Sequence, residues 1–314
     1  MPLRCYKNTM AESELRSNNK AIILAGATGQ LGQKIAHHLA ASKANVRAIV
    51  RKDSSQISVD RLHKLGVKTT FVDYESQEQL VGACQGGAVV ISALSGVRDV
   101  IVKRQSNLLQ AAVAAGVPRF IPSDFCIDFT KLPYGTNRNL DLRKEFAERL
   151  EKMPIAATSV LNGMFTDLLT GEAPVILFAL GRVVYWGKAD QLLDFTSLNN
   201  TAAFTAQVAM DNNTPRFLRI AGEVISSRGL QQEASKAMGK KFRLLRPGGL
   251  GGLKTLIKIT QTLFPKKDEV FPPWQGMQYL YNMYSGLPKL FPLDNDRYPG
   301  IHWQKVQEVL KSKT

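Results

Sequence analysis

The chain has 314 residues, enough for one large domain or two smaller ones with a proper core, and 44% of it is hydrophobic, as in ordinary globular proteins. No run approaches the roughly 18 uninterrupted apolar residues of a membrane span. Lysine and arginine number 41 against 26 acidic residues, a formal charge of +15 that can attract phosphates, nucleic acid or anionic lipid but says nothing about fold.

Three cysteines, Cys5, Cys84 and Cys126, stand far apart with no CxxC pair and no histidine beside them. That spacing suggests neither a disulfide framework nor a metal site. Cys84 reads as core and Cys126 as a packed small residue after a strand end. Residues 1–19 are polar, include Glu12 and Glu14, and lack an apolar segment, so they fit neither a secretory signal nor a transit peptide. They read as a flexible tail, and the expected compartment is the reduced cytosol, hence cytoplasmic.

The first patterned stretch, AIILAGATGQLG, runs from Ala21 to Gly32 and passes from an apolar run into Gly26, Gly29 and Gly32. It predicts a buried parallel strand, a tight turn and a helix continuing to Ala40. A Cβ in the turn would block a positive φ and the approach of a pyrophosphate. The helix N-terminus then offers unpaired N–H groups and partial positive charge to phosphates. The spacing is GxxGxxG rather than GxGxxG, and a bare triplet can be no more than a turn. Its context carries the reading. A second strand, Asn45 to Val50, follows at the right distance and ends in Arg51 and Lys52. An acid there binds the ribose 2′-hydroxyl of NAD, whereas a base accommodates the 2′-phosphate of NADP. Two bases predict NADPH over NADH, unless they are simply solvated strand-end charges.

The alternation continues. A helix around Val59 to Leu65 leads to a strand from Lys68 to Val72 ending at Asp73, then a helix from Glu78 to Cys84 and a fourth strand from Ala88 to Ala93. A long helix places Ile101, Gln105, Leu108 and Ala112 on one face. A short fifth strand, Arg119 to Ile121, a charged helix from Leu140 to Lys152 and a sixth strand from Ile155 to Leu161 complete the series. Strands alternating with helices imply a parallel sheet covered on both faces. Ligands of such sheets sit at the strands' carboxyl ends. The candidates are therefore Asp73 and Tyr74, Leu94 to Gly96, and Pro122 to Phe125.

Beyond Phe165 the alternation is lost. Val175 to Val184, Asp194 to Leu198 and Arg216 to Ile220 read as strands, with a helix from Thr201 to Met210. Between Gly239 and Lys267 there are Lys240, Lys241, Arg243, Arg246, Lys254, Lys258, Lys266 and Lys267 and no acid, interleaved with Leu253, Leu256, Ile257 and Leu263. This stretch could meet nucleic acid or an anionic membrane. The favoured expectation is a cap helix with apolar residues inward and lysines in water. Trp274 to Tyr284 is rich in Met and Tyr and suits a lobe over the strand ends. The expected fold is α/β: a doubly wound parallel (Rossmann) sheet over residues 20–160. A smaller α+β substrate lobe over 161–314 lies at the strand C-terminal ends, with some segments returning to the sheet.

GATGQLG, Arg51 at the second strand's end, ISALSG, RFIPSDF, VLNGMF and the C-terminal PLDNDRYPGIHW together resemble the NmrA-like and isoflavone-reductase-like family of atypical short-chain dehydrogenases/reductases. The resemblance covers roughly residues 20–310. It implies NADP(H) held by Gly26, Thr28, Gly29, Gln30, Leu31 and Gly32, with the 2′-phosphate at Arg51 and Lys52. It places Ala93, Leu94 and Ser95 along the cofactor, Pro122 and Ser123 near the nicotinamide, and Asn162 to Phe165 at the substrate side. Family enzymes carry a lysine at the start of the helix after RFIPSDF, a position that falls here on Arg143, with Lys144 next to it. Arginine can stabilise charge but cannot release a proton near neutral pH. Lys144 would point elsewhere, because successive helical residues diverge.

Short-chain dehydrogenases in general use Tyr-x-x-x-Lys, and the nearest match is Tyr134-Gly-Thr-Asn-Arg138, which lacks the lysine. His37, His38 and His302 form no plausible triad. The expected function is an NADPH-binding reductase acting on a small carbonyl or aromatic substrate, with Tyr134, Lys144 or a water as the unassigned protic partner. The alternative is a non-catalytic NADP(H) sensor of the NmrA type that contacts a regulatory protein.

Overall fold

A computed structural model describes residues 20–312; the tail expected at 1–19 and its Cys5 lie outside the described residues. Ala21–Ala25 (β1) is buried along its whole length. Ile22 and Leu24 join one apolar layer, and Ala21, Ile23 and Ala25 join the other. Such two-sided burial is the mark of an interior parallel strand.

From β1 the chain runs through α1 (Gln30–Ala41), β2 (Val46–Arg51), α2 (Gln56–Lys64), β3 (Lys68–Val72), α3 (Gln77–Cys84) and β4 (Gly87–Ser92). A π-helical segment, Asp99–Arg104, leads into α4 (Gln105–Ala114), followed by β5 (Arg119–Ile121), α5 (Arg138–Leu150) and β6 (Ala156–Ala157). These six strands are parallel in the order β3-β2-β1-β4-β5-β6. Strand order reverses between β1 and β4, and that is where a crevice opens at the carboxyl ends.

The sixth expected strand is divided. Thr158 donates its N–H to Phe120 at 3.1 Å, but Ser159 donates to Arg216 at 2.8 Å, so the chain exchanges one neighbour for another. Its second half, β7 (Ser159–Leu161), pairs in parallel with β12 (Phe217–Arg219). Between them come β8 (Met164–Phe165), β9 (Ile176–Leu177), β10 (Arg182–Trp186), β11 (Leu192–Thr196) and α6 (Leu198–Met210). The stretch expected as one strand over 175–184 is thus two antiparallel strands around a turn closed by Gly181 N–H donating to Phe178 at 3.3 Å.

Helix α6 returns to the sheet and packs with α1, adding Ala202, Phe204 and Val208 to the β1 layer. The remaining elements are β13 (Glu223–Ser226), α7 (Ser227–Met238), β14 (Arg243–Gly248), α8 (Leu250–Leu263), α9 (Pro273–Ser285) and α10 (Val306–Lys311). They build a separate core around Phe195, Leu230, Phe242, Leu253 and Tyr284. In α8 Leu253 and Ile257 turn inward, whereas Leu256, Ile259 and Leu263 are exposed, unlike the single inward stripe expected. Among the described residues no helix is long and apolar enough to cross a membrane.

Candidate functional site

The chain leaves β1 through Gly26, whose φ is +76°. A Cβ there would lie 2.4 Å from the Ala93 carbonyl oxygen, so the turn is pressed against the end of β4. A Cβ on Gly32 would lie 2.1 Å from the Gly26 carbonyl oxygen, which lets the first turn of α1 sit directly on the strand end. Gly29 is different: its φ is −80° and the nearest atom to an added Cβ is 3.4 Å away. The protein itself does not require glycine at 29. What a side chain would fill is the exposed space before α1, whose first turn has no side-chain cap and no acid. Open N–H groups behind a flat backbone fit a pyrophosphate. Thr28, Gln30 and Leu31 border this space, and the Thr28 carbonyl accepts from Gln33 Nε2 at 2.9 Å.

One strand over, Arg51 ends β2. Its Nε is 3.4 Å from Asp53, with both side chains mostly in solvent, and Lys52 beside it is exposed. Asp73 has a local duty, because its carboxylate accepts from the Glu75 N–H at 2.9 Å.

On the other side of β1, Ala93 donates to Ala25 at 2.9 Å, and the Leu94 carbonyl accepts from Ser123 Oγ at 2.6 Å. Ser95 is exposed, and Pro122 and Ser123 are buried. Arg143 reaches the same point from α5: Nε donates to the Ser123 carbonyl and Nη1 to the Asn139 carbonyl, each at 3.1 Å. Burial opposes its charge, but Tyr279, Cys126 and Asp124 outweigh that and raise its pKa, so the guanidinium is a fixed cation. Asn162 is fully buried after β7, its N–H donating to Cys126 at 3.0 Å and both polar atoms of its amide unpartnered among the described residues. Phe165 packs on the β1 layer.

The structure therefore gathers Gly26, Gly29, Gly32, Ala93, Leu94, Ser123 and Arg143 along one crevice. It leaves Tyr134 and Lys144 together elsewhere. The Lys144 ammonium lies 4.8 Å from the Tyr134 ring centroid and donates to the Leu132 carbonyl, while the exposed Tyr134 hydroxyl donates to Glu148 at 2.7 Å. Partial desolvation and then Glu148 push the Tyr134 phenol up to about 12. That environment is the reverse of a lysine-activated tyrosine. His38 meets Asn199 and His302 meets Glu308, and no metal-binding group occurs among the described residues. The residue that sequence reasoning passed over is Tyr279 on α9, whose phenol interacts electrostatically with Arg143 and Cys126.

Residues 18–247 match the model of the NmrA-like family. The chain belongs to the NmrA-like family. This NmrA-like protein is 24% identical over 327 residues to pinoresinol reductase 1 of Arabidopsis thaliana, covering 96% of this chain and 99% of that one. Its fold is shared with the structure of AtPrR2 with NADP+ and (+)pinoresinol, at a TM-score of 0.78, 20% identity and coverage of 94% and 99%. A leucoanthocyanidin reductase–NADPH complex from Vitis vinifera superposes at 0.78, with 17% identity and coverage of 93% and 99%.

Proposed function

We propose that this chain is an NADPH-dependent reductase that passes a hydride to a small carbonyl or aromatic substrate. The observation that carries the reading is the cradle at Gly26, Gly29 and Gly32, open before α1, with Arg51 and Lys52 one strand away. Relatives named as reductases, and fold neighbours solved with NADP+ or NADPH, support it.

Gly29 and the first turn of α1 would hold the pyrophosphate, Arg51 and Lys52 the 2′-phosphate, and Leu94 and Ser123 would flank the nicotinamide. When bound, NADPH supplies the hydride. Arg143, tethered to the Ser123 backbone, sets a fixed positive charge where negative charge grows on a substrate oxygen. The lobe around α9 excludes water from that point. The reduced cytosol belongs to the same reading.

A second reading, an NADP(H) sensor that reports to a regulatory protein, draws on Arg143 itself, which cannot release a proton. One experiment separates them. Purified protein is titrated with NADPH by nicotinamide fluorescence and then offered aldehydes, ketones and quinones. Substrate-dependent loss of the reduced cofactor supports the reductase. Tight NADPH binding with no turnover across the panel selects the sensor.

A further inference from the structure

Helix α9 is registered on the start of α5 by a buried polar seam. Gln275 Nε2 donates to Asn137 Oδ1 at 2.7 Å, and Gln278 Oε1 accepts from the Arg138 N–H at 3.1 Å. This seam fixes Tyr279, whose ring also packs on Phe271 with centroids 6.4 Å apart. The seam sets Tyr279 against the stretch of α5 that carries Asn139 and Arg143, and its phenol interacts electrostatically with Arg143 and Cys126. Tyr279 and Arg143 are both half-buried, so each keeps surface that a small molecule can meet. Arg143 is in turn bonded to Ser123, and Ser123 to Leu94 beside the cofactor cradle. Hydrogen bonds therefore tie Arg143 to the cofactor cradle, and its charge acts on the Tyr279 phenol.

Resting on the reductase reading, we propose that Tyr279 is the proton donor of the site, its hydroxyl presented to the substrate oxygen beside the Arg143 guanidinium. As hydride adds to the carbonyl carbon, the C=O π pair moves to oxygen and the Tyr279 O–H bond breaks to protonate it. NADPH is oxidised, the carbonyl is reduced, and the tyrosinate recovers its proton from water. Arg143 shares the load by stabilising both the growing oxyanion and the transient phenolate. Burial, the largest influence, pushes the phenol up to about 12 while Arg143 pulls it down, so the proton is present throughout the neutral range. This division of labour answers the absence of lysine at 143: the cation stays on the helix, and the labile proton comes from the facing lobe.

The test uses the full chain loaded with NADPH, the aldehyde, ketone and quinone panel, and Tyr279→Phe. Expected is a kcat lower by about 100-fold or more, with NADPH affinity and Tm unchanged, and loss of the wild-type solvent deuterium isotope effect. A second arm needs no turnover: 4-nitrophenolate, whose oxygen stands for the developing alkoxide, is titrated into the NADP+-loaded protein. Its absorbance shift on binding should weaken about 10-fold or more in both Tyr279→Phe and Arg143→Met. Equal turnover by wild type and Tyr279→Phe overturns the role of Tyr279 and leaves the reductase reading intact. No turnover by wild type with NADPH bound overturns both. Should Tyr279→Phe not fold, Arg143→Met decides, since unchanged phenolate binding there removes the proposed oxygen site.

Discussion

Gly32 lies so close to Gly26 that a Cβ on it would meet the Gly26 carbonyl oxygen at 2.1 Å, whereas one on Gly29 would find nothing nearer than 3.4 Å. The two glycines therefore do different work. Gly32→Ala forces α1 off the strand end, an overpacking expected to cost about 1–3 kcal/mol or more and to lower Tm. Gly29→Ala should melt like the wild type but bind NADPH about 10-fold or more weakly, because its methyl group enters the space of the pyrophosphate. Melting curves and fluorescence titrations on both variants check this. Equal loss of cofactor with intact Tm in Gly32→Ala would reverse the assignment.

The parts of this molecule that follow from local pattern were legible in its sequence. Apolar runs of β-branched residues ended at the crevice, and β3 and β5 fall at Lys68–Val72 and Arg119–Ile121 as the pattern placed them. The division at Thr158 was not legible, because it depends on the arrival of β12 from far along the chain. Helix α7 did carry signals: Ser226 caps it, accepting from the Gly229 N–H, and Gly239 ends it in the left-handed region. Its isolated apolar positions, Leu230 and Ala234, gave too short a stripe to stand out. Of the candidate site, the glycines and Arg51 stood out by motif and position, and the structure puts them at the ends of β1 and β2. Tyr279 had no local signature, since its place depends on how α9 docks on α5.

Asp124 makes stability depend on pH. Its side chain is fully buried, with Oδ2 accepting from Ser159 Oγ at 2.6 Å and Oδ1 unpartnered among the described residues. Burial, the dominant influence, raises its pKa, and Ser159, Arg143 and Arg216 only partly offset that. The folded state thus holds this proton more tightly than the unfolded chain, where the value is about 3.9. The resulting stabilisation is full below about pH 4 and is lost as pH rises through the folded value. Asp124→Asn carries no ionisable group there. Its Tm should gain on the wild type as pH rises above about 4, with the difference smallest at the acid end. Parallel Tm curves would show that Asp124 does not bind its proton preferentially in the fold.

The basic helix α8 should not hold the protein on lipid. Successive residues turn by about 100°, so Lys254 and Lys258 project on the flank away from the exposed Leu256, Ile259 and Leu263. A lipid surface that met the apolar stripe would leave both lysines facing outward, and one that met the lysines would leave the stripe in water. Co-sedimentation with anionic vesicles should recover the same fraction of protein as sedimentation without them. Partition that disappears when Lys254 and Lys258 become glutamate would show that the two faces act together.

Arg51 should select NADPH over NADH. It ends β2 beside the strand that delivers Gly26, which puts its guanidinium within reach of the adenosine ribose of a dinucleotide anchored at α1. Among the described residues its ion-pair partner there is Asp53, 3.4 Å from Nε, in a pair whose side chains are 53% and 73% exposed. Such a surface pair is worth at most about 1 kcal/mol, whereas charge-assisted bonds to a phosphate contribute about 1.5–3 kcal/mol. The phosphate therefore wins Arg51 from Asp53, and the difference, about 0.5–3 kcal/mol, corresponds to roughly 2- to 150-fold in affinity. NADH offers no phosphate, so the Arg51–Asp53 pair stays closed in its complex. Arg51→Asp should weaken NADPH by about that factor and leave NADH unchanged or tighter, and the wild-type preference should shrink as salt rises. Titration of both cofactors against both proteins at low and high ionic strength measures it. Equal affinities in the wild type would mean that the 2′-phosphate lies away from the end of β2.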